Sequence, residues 1–138
     1  MNRTSQIPAS LREAALRALD NAYAPYSNFR VGAALRTRRG EIVVGSNIEN
    51  SAYGQAICAE TLAVASAVSQ GLKDFEEIAI ATEDSEPTPP CGACRQVLNE
   101  FAPNIRVSSF TRAGKEAVWS LEELLPHAFA LNPSRGKM

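Results

Sequence analysis

An α/β domain, its mixed sheet covered by helices on both faces, is the fold this sequence predicts. Three observations carry that expectation. The segments run in the order α-β-β-α-β-α-β-(β)-α, with helices interleaved between single strands. The first two strands are joined by a turn short enough for a hairpin. The chain has 138 residues, 45% hydrophobic and 21% charged, ordinary globular values that can build one real core. Residues 1–138 are therefore read as a single domain.

Each element has its own signal. Ser10 and Glu13 have capping-box spacing. Leu11, Ala14, Ala15, Ala18, Leu19 and Ala22 follow as a 3.6-period apolar stripe, which predicts a first helix ending by about Ala24, before Pro25. Arg30–Thr37 and Glu41–Ser46 read as strands. Arg38-Arg39-Gly40 is the turn between them, with glycine where positive φ is needed. Cys58–Gln70 is rich in Ala and Leu and reads as a largely buried helix closed by Gly71 at the C′ position. Phe75–Thr82 holds the apolar run Ile78-Ala79-Ile80-Ala81 and reads as a strand. Glu83–Pro90 is a proline-rich loop, and Cys91–Phe101 a helix stopped before Pro103. Asn104–Thr111 is a strand, Ala113-Gly114 begins a turn, and Glu116–Trp119 is a candidate short strand. Ser120 and Glu123 form a second capping box, opening a helix over Leu121–Leu125 before Pro126. From Asn132 the chain reads as a frayed tail.

Composition limits the functions available. Net charge −1 and pI near 5.9 argue against a protein that coats nucleic acid or a membrane surface. No apolar run approaches the ~18 residues of a membrane span, and Met1–Gln6 lead into no secretory h-region. Three cysteines, an odd number, do not make a disulfide framework. The expectation is a cytoplasmic, reduced protein whose cysteines have another use.

Those cysteines fall where thiolates are favoured. Cys58-Ala59-Glu60 opens one predicted helix and Pro90-Cys91-Gly92-Ala93-Cys94 opens another. A helix N-terminus carries the positive end of the macrodipole and unpaired amides, both of which stabilise S⁻. Cys91 and Cys94 are one turn apart, so both sulfurs can face one point. Three thiolates on Zn²⁺ leave a fourth tetrahedral position for water, the hallmark of a catalytic rather than a closed site. Glu60, two residues after the first cysteine, is close enough to carry that water's proton. A Cys₃ zinc, a Glu two residues after a ligand and a P-C-x-x-C together match the general pattern of zinc deaminases.

Blander readings use the same residues. Cys91 and Cys94 could be a thioredoxin-like redox pair, although the motif lies two-thirds along the chain rather than after an early strand. The three cysteines could instead form a closed structural site with His127 as the fourth ligand, giving a zinc-stabilised module without activity. His127, in or after a short helix, reads rather as a surface or packing residue. Buried inert cysteines are a third reading, which would not predict Glu60 or Pro90.

Five motifs in order settle which family the chain is similar to. They are Tyr26-Ser27-Asn28-Phe29-Arg30-Val31-Gly32-Ala33-Ala34, then Asn47-Ile48-Glu49-Asn50 with Tyr53-Gly54, then Cys58-Ala59-Glu60. Pro90-Cys91-Gly92-Ala93-Cys94-Arg95-Gln96 and Leu124-Leu125-Pro126 with Phe129 complete them. Over nearly all its length the chain resembles the small, homotetrameric cytidine deaminases. The resemblance implies a three-layer α/β/α sandwich with a five-stranded mixed sheet. It implies hydrolytic deamination of cytidine and deoxycytidine in pyrimidine salvage, with one Zn²⁺ per subunit held by Cys58, Cys91 and Cys94. Glu60 is then the proton shuttle. The Ala59 backbone contacts the base, Phe29 lines the pyrimidine pocket, and Asn47 and Glu49 bond the ribose 3′-hydroxyl. Tyr53 and Phe129 are candidates to reach a neighbouring subunit's site. A nucleic-acid or membrane partner is not implied.

Three departures from the family pattern stand out. Thr61 follows the glutamate where the family usually has arginine. Phe129-Ala130-Leu131 replaces Phe-Gly-Pro, and Gln55 stands where smaller or apolar residues are common. Three thiolates and one Zn²⁺ sum to −1, and excess negative charge makes the metal a weaker Lewis acid. Arg95, helix amides and the Thr61 hydroxyl are the expected compensators. The other two departures keep open an altered substrate, either a modified cytosine nucleoside or an antibiotic of the blasticidin S type. Blasticidin-type enzymes also lack that arginine, but do not share the full Asn-Ile-Glu-Asn segment.

Overall fold

The computed structural model describes residues 7–131; the tail read from Asn132 lies outside them. Helix α1 (Ala9–Asp20) precedes strands β1 (Val31–Thr37) and β2 (Ile42–Ser46). A one-turn 3-10 helix at Tyr53–Gln55 leads into α2 (Ala59–Ser69). Then come β3 (Phe75–Thr82), α3 (Gly92–Phe101), β4 (Arg106–Thr111), β5 (Glu116–Ser120) and α4 (Leu121–Leu124).

The strands form one sheet in the order β2-β1-β3-β4-β5. β1 is antiparallel to both β2 and β3, β3 is parallel to β4, and β4 is antiparallel to β5. The parallel pair needs a long crossover, and α3 supplies it. Ala33 faces Ile80 across β1 and β3, and Ile80 faces Ser109 across β3 and β4.

Alternate residues of each strand bury on opposite faces. Ala33, Leu35, Ile78, Ile80 and Val107 pack with Ala63, Ala67, Leu98 and Leu121 from α2, α3 and α4. Ala34, Ala79, Ala81 and Phe110 pack with Leu11, Ala15 and Leu19 from α1. These are the three expected α/β/α layers. Coverage on both faces explains why β3 reads as a continuous apolar run rather than an alternating one.

The first helix departs from expectation at both ends. Its N-cap is Pro8, with no side-chain cap, and Arg12 N–H bonds the Pro8 carbonyl at 2.9 Å. Ser10 and Glu13 therefore lie inside the helix. It ends at Asp20 rather than Ala24, because Tyr23 N–H bonds the Asn47 carbonyl at 2.9 Å and draws that segment into a bridge with Ile48. The second capping box is as expected. Ser120 Oγ accepts from Glu123 N–H at 3.2 Å, and Glu123 Oε1 accepts from Ser120 N–H at 2.7 Å.

One close approach sets the position of α2. A Cβ on Gly45 of β2 would lie 2.3 Å from the Ala59 carbonyl oxygen and 2.6 Å from the Ala63 nitrogen. Only glycine lets the first turn of α2 rest on the sheet there.

Candidate active site

Two helix starts converge beside β3. Cys58 is the N-cap residue of α2 and Cys91 that of α3, both in extended conformation. Glu60 is the second residue of α2, and Cys94 the third of α3. Ile48 and Ile57 exchange backbone hydrogen bonds of 3.0 Å, which fixes the approach of the chain into α2. The loop before α3 is tied to the sheet where Ser109 Oγ donates to the Thr88 carbonyl at 2.8 Å.

The sulfurs have the spacing a metal needs. Cys58 Sγ and Cys91 Sγ are 3.9 Å apart, and all three sulfurs lie within 4.8 Å of one another. Two thiolates bound about 2.3 Å from one tetrahedral Zn²⁺ lie about 3.8 Å apart. The donor set is soft and anionic, which also suits zinc. His127 is exposed and is not a member of this cluster, so the closed four-ligand alternative is not formed. The sulfurs come from two helices across β3 rather than from Cys91 and Cys94 alone, which also sets aside the isolated redox pair.

Charge within the cluster is unevenly held. The Cys58 thiol is shifted down, chiefly by a hydrogen bond from Cys94. The Cys94 thiol is shifted up by that same bond and by burial. Glu60 is buried, 6% exposed. Burial raises its pKa, opposed by a backbone N–H and by Cys94. The Thr61 hydroxyl is 3.3 Å from Cys94 Sγ. Arg95 is placed otherwise than expected. Its Nε donates to the Pro90 carbonyl and its Nη1 to the Leu124 carbonyl, both at 2.8 Å. It fastens α3 to the preceding loop and to α4, so the hydroxyl rather than the guanidinium meets a sulfur.

A cleft of about 320 Å³ opens over the cluster, within the range of small-molecule sites. Phe29, Asn47, Glu49, Cys58, Ala59, Glu60 and Cys91 line it, together with Ser27, Val31, Ile80, Thr88 and Pro89. Asn47 Oδ1 accepts from Val31 N–H at 2.8 Å, and its Nδ2 donates to the Phe29 carbonyl at 2.9 Å. Glu49 Oε1 accepts from the N–H groups of Tyr26 (2.9 Å) and Ser27 (3.1 Å), and Oε2 accepts from Ser27 Oγ. These bonds hold the Glu49 carboxyl below its ordinary pKa, the Ser27 hydroxyl contributing most. Tyr53 and Phe129 stand apart from this cleft. Tyr53 is 79% exposed and lines an adjoining cavity of about 370 Å³ with Tyr26, Ser27 and Glu49. Phe129 is 68% exposed, and its carbonyl accepts from Gln96 Nε2 at 2.8 Å.

Sequence reasoning passed over Ser27, Val31, Ile80, Thr88 and Pro89 as cleft residues. Ser27 had a signal, standing two residues before Phe29. Thr88 and Pro89 had only their adjacency to Pro90-Cys91. Ile80 looked like any core strand residue.

Residues 6–109 match the family model described as the cytidine and deoxycytidylate deaminase zinc-binding region. A cytidine deaminase of Halalkalibacterium halodurans is 44% identical over 116 residues, covering 83% of this chain and 88% of that protein. A blasticidin-S deaminase of Bacillus cereus is 37% identical over 110 residues, covering 74% of this chain and 78% of its own. Among solved structures, a cytidine deaminase from Burkholderia pseudomallei superposes with a TM-score of 0.85 at 45% identity. That match covers 90% of this chain and all of the other.

Proposed function

The chain belongs to the cytidine and deoxycytidylate deaminase zinc-binding family, and from that premise we propose that it hydrolyses the C4 amino group of cytidine and deoxycytidine. The products are uridine or deoxyuridine and ammonia. One observation carries the reading: three clustered sulfurs and a buried Glu60 share a cleft with Asn47 and Glu49. The antibiotic-directed alternative is not favoured, since the cytidine deaminase of Halalkalibacterium halodurans, at 44% identity, is more similar than the blasticidin-S deaminase at 37%.

Cys58, Cys91 and Cys94 hold the cofactor, Zn²⁺. When bound, it supplies the Lewis acid that makes water a nucleophile near neutral pH. Glu60 does the proton work. Its carboxylate takes a proton from the attacking water and gives it to N3 of the pyrimidine; it then takes the proton of the new C4 hydroxyl and passes it to the amino group, so that ammonia leaves as the C4 carbonyl forms. Its burial suits this, because a desolvated carboxyl holds a proton more readily than an exposed one. Ala59, first residue of α2, has a backbone N–H with no intrahelical acceptor, which supports a contact with the base. Phe29 lines the pyrimidine pocket.

The sugar contacts follow from a count of bonding capacity. A carboxylate has about four lone-pair sites. Three on Glu49 are filled, leaving one on Oε2. Asn47 has used one of its two amide hydrogens on the Phe29 carbonyl. One remaining acceptor beside one remaining donor suits a single hydroxyl, which gives one hydrogen and accepts another. That supports the ribose 3′-hydroxyl as the group held.

The protein acts as a single-domain subunit of a homotetramer. Exposed Tyr23, Tyr26, Tyr53, Phe129 and Leu131 support association, and the exposure of Tyr53 and Phe129 supports their serving a neighbour's cleft. A reducing compartment keeps three thiols free for metal, which supports a cytoplasmic setting. No helix among the described residues is long and apolar enough to cross a membrane.

The test is ultraviolet absorbance of cytidine with the purified protein and with Glu60→Gln, beside zinc content. Glu60→Gln is expected to keep one zinc per chain and lose about 10²–10⁴-fold in turnover. Equal turnover by both would overturn the assignment of Glu60.

A further inference from the structure

We infer that Ser27 is a positioning residue for sugar recognition, its hydroxyl aligning the one free acceptor of Glu49 with the nucleoside. This rests on the proposed contact between Glu49 and the sugar hydroxyl, and goes beyond it by naming what aims that carboxylate.

Ser27 stands between two residues of the cleft and bonds both. Its Oγ–H donates to Glu49 Oε2, and its Oγ accepts from Phe29 N–H at 3.0 Å. Its backbone N–H adds a bond of 3.1 Å to Glu49 Oε1. A single side chain thus links the carboxylate to the backbone of the residue lining the pyrimidine pocket. The turn is held in place by Asn28, whose φ of +60° is the left-handed conformation asparagine tolerates. Asn28 N–H also bonds the Ala24 carbonyl at 2.9 Å.

The consequence is directional. Two backbone donors saturate Oε1, and they hold that oxygen rather than the whole plane. The Ser27 hydroxyl occupies one lone pair of Oε2 and so fixes which lone pair remains. Without it, the carboxylate can turn about its Cγ–Cδ bond, and Oε2 offers two sites in competition with water. Preorganised acceptors bind a hydroxyl better because the alignment cost is already met in the free protein. Ser27, like Glu49, lines both the cleft and the adjoining cavity.

The experiment compares wild type, Ser27→Ala and Ser27→Thr on cytidine and on 2′,3′-dideoxycytidine, which lacks the hydroxyl in question. Ser27→Ala is expected to raise KM for cytidine about tenfold, the scale of one hydrogen bond to a charged group, with kcat changed less than about twofold. On dideoxycytidine, Ser27→Ala is expected to lose much less kcat/KM than on cytidine, the residual loss coming from the Phe29 N–H left without its acceptor. Ser27→Thr, which keeps the hydroxyl, is expected to restore the cytidine KM. An unchanged cytidine KM overturns the inference. So does an equal loss on both substrates, which would mean a merely structural role. Wild type that treats the two substrates alike would remove the proposed Glu49 contact itself, and Ser27's role with it. Wild type that discriminates, with Ser27→Ala discriminating equally, removes the role of Ser27 alone.

Discussion

The Thr61 hydroxyl and Cys94 Sγ are in hydrogen-bond contact. With zinc held by the three sulfurs as proposed, Cys94 would be a thiolate with no proton to give, so the hydroxyl would donate and the sulfur accept. Drawing charge from one of three thiolates would leave the metal a stronger Lewis acid and steady the ligand. Thr61→Val keeps the shape and removes the donor. It is expected to weaken zinc binding about tenfold, measured against a chromophoric chelator, while Thr61→Ser stays near wild type. Equal affinity in all three would show that the hydroxyl is idle. At this scale the sequence was most readable where chemistry is rare. Cysteine at a helix start, with glutamate two places on, has few other meanings; the sulfurs of Cys58, Cys91 and Cys94 lie within 4.8 Å of one another, and Glu60 lines the same cleft. Asn47 and Glu49 looked like turn residues apart from their motif. Serine and threonine hydroxyls are common, and only their partners in space give Ser27 and Thr61 a role. The charge of Arg95 suggested a task at the sulfurs that two backbone carbonyls had already taken.

Helix α2 is the element on which the cleft depends, and Gly45 is the place to disturb it. Gly45→Ala puts a methyl against the Ala59 carbonyl and Ala63 nitrogen, so the first turn must move away from β2. The expected cost is about 1–3 kcal/mol or more of stability by denaturant titration. Because Cys58 and Glu60 ride on the turn that moves, zinc affinity is expected to fall as well. Gly32→Ala makes a comparable clash with α1, at the Ala15 carbonyl and Leu19 nitrogen, and is the control. It should cost stability and leave zinc binding unchanged, and loss of zinc in both would mean that the site senses only global stability. Long segments declared themselves in the sequence, β3 to the residue through its unbroken apolar run. Short ones did not. Bridges at Tyr23, Ile48 and Ile57 and the single turn at Tyr53–Gln55 involve too few residues to show a period. The bridge at Tyr23 also ended α1 early, a tertiary contact overriding a local stripe.

Across the whole molecule, burial is uneven. The two core clusters are closed on both faces of the sheet, yet Tyr53, Phe129 and Leu131 stand mostly in solvent. Exposed residues of this kind support the proposed association of copies. Light scattering is expected to give a mass near four times the 14.8 kDa of one chain. A mass of one chain at working concentration would contradict the proposed tetramer. The layered sheet was legible because alternation of strands and helices leaves few ways to bury both faces. How copies meet was not, since exposed apolar residues carry no periodic mark of their partner. The position of the sulfurs, one before β3 and two after it, also bears on synthesis. A ribosome releases Cys58 first, and a lone thiol grips a metal weakly. Firm capture waits until residue 94 has left the exit tunnel and the strand between has docked, so loading marks a late stage in the birth of each molecule.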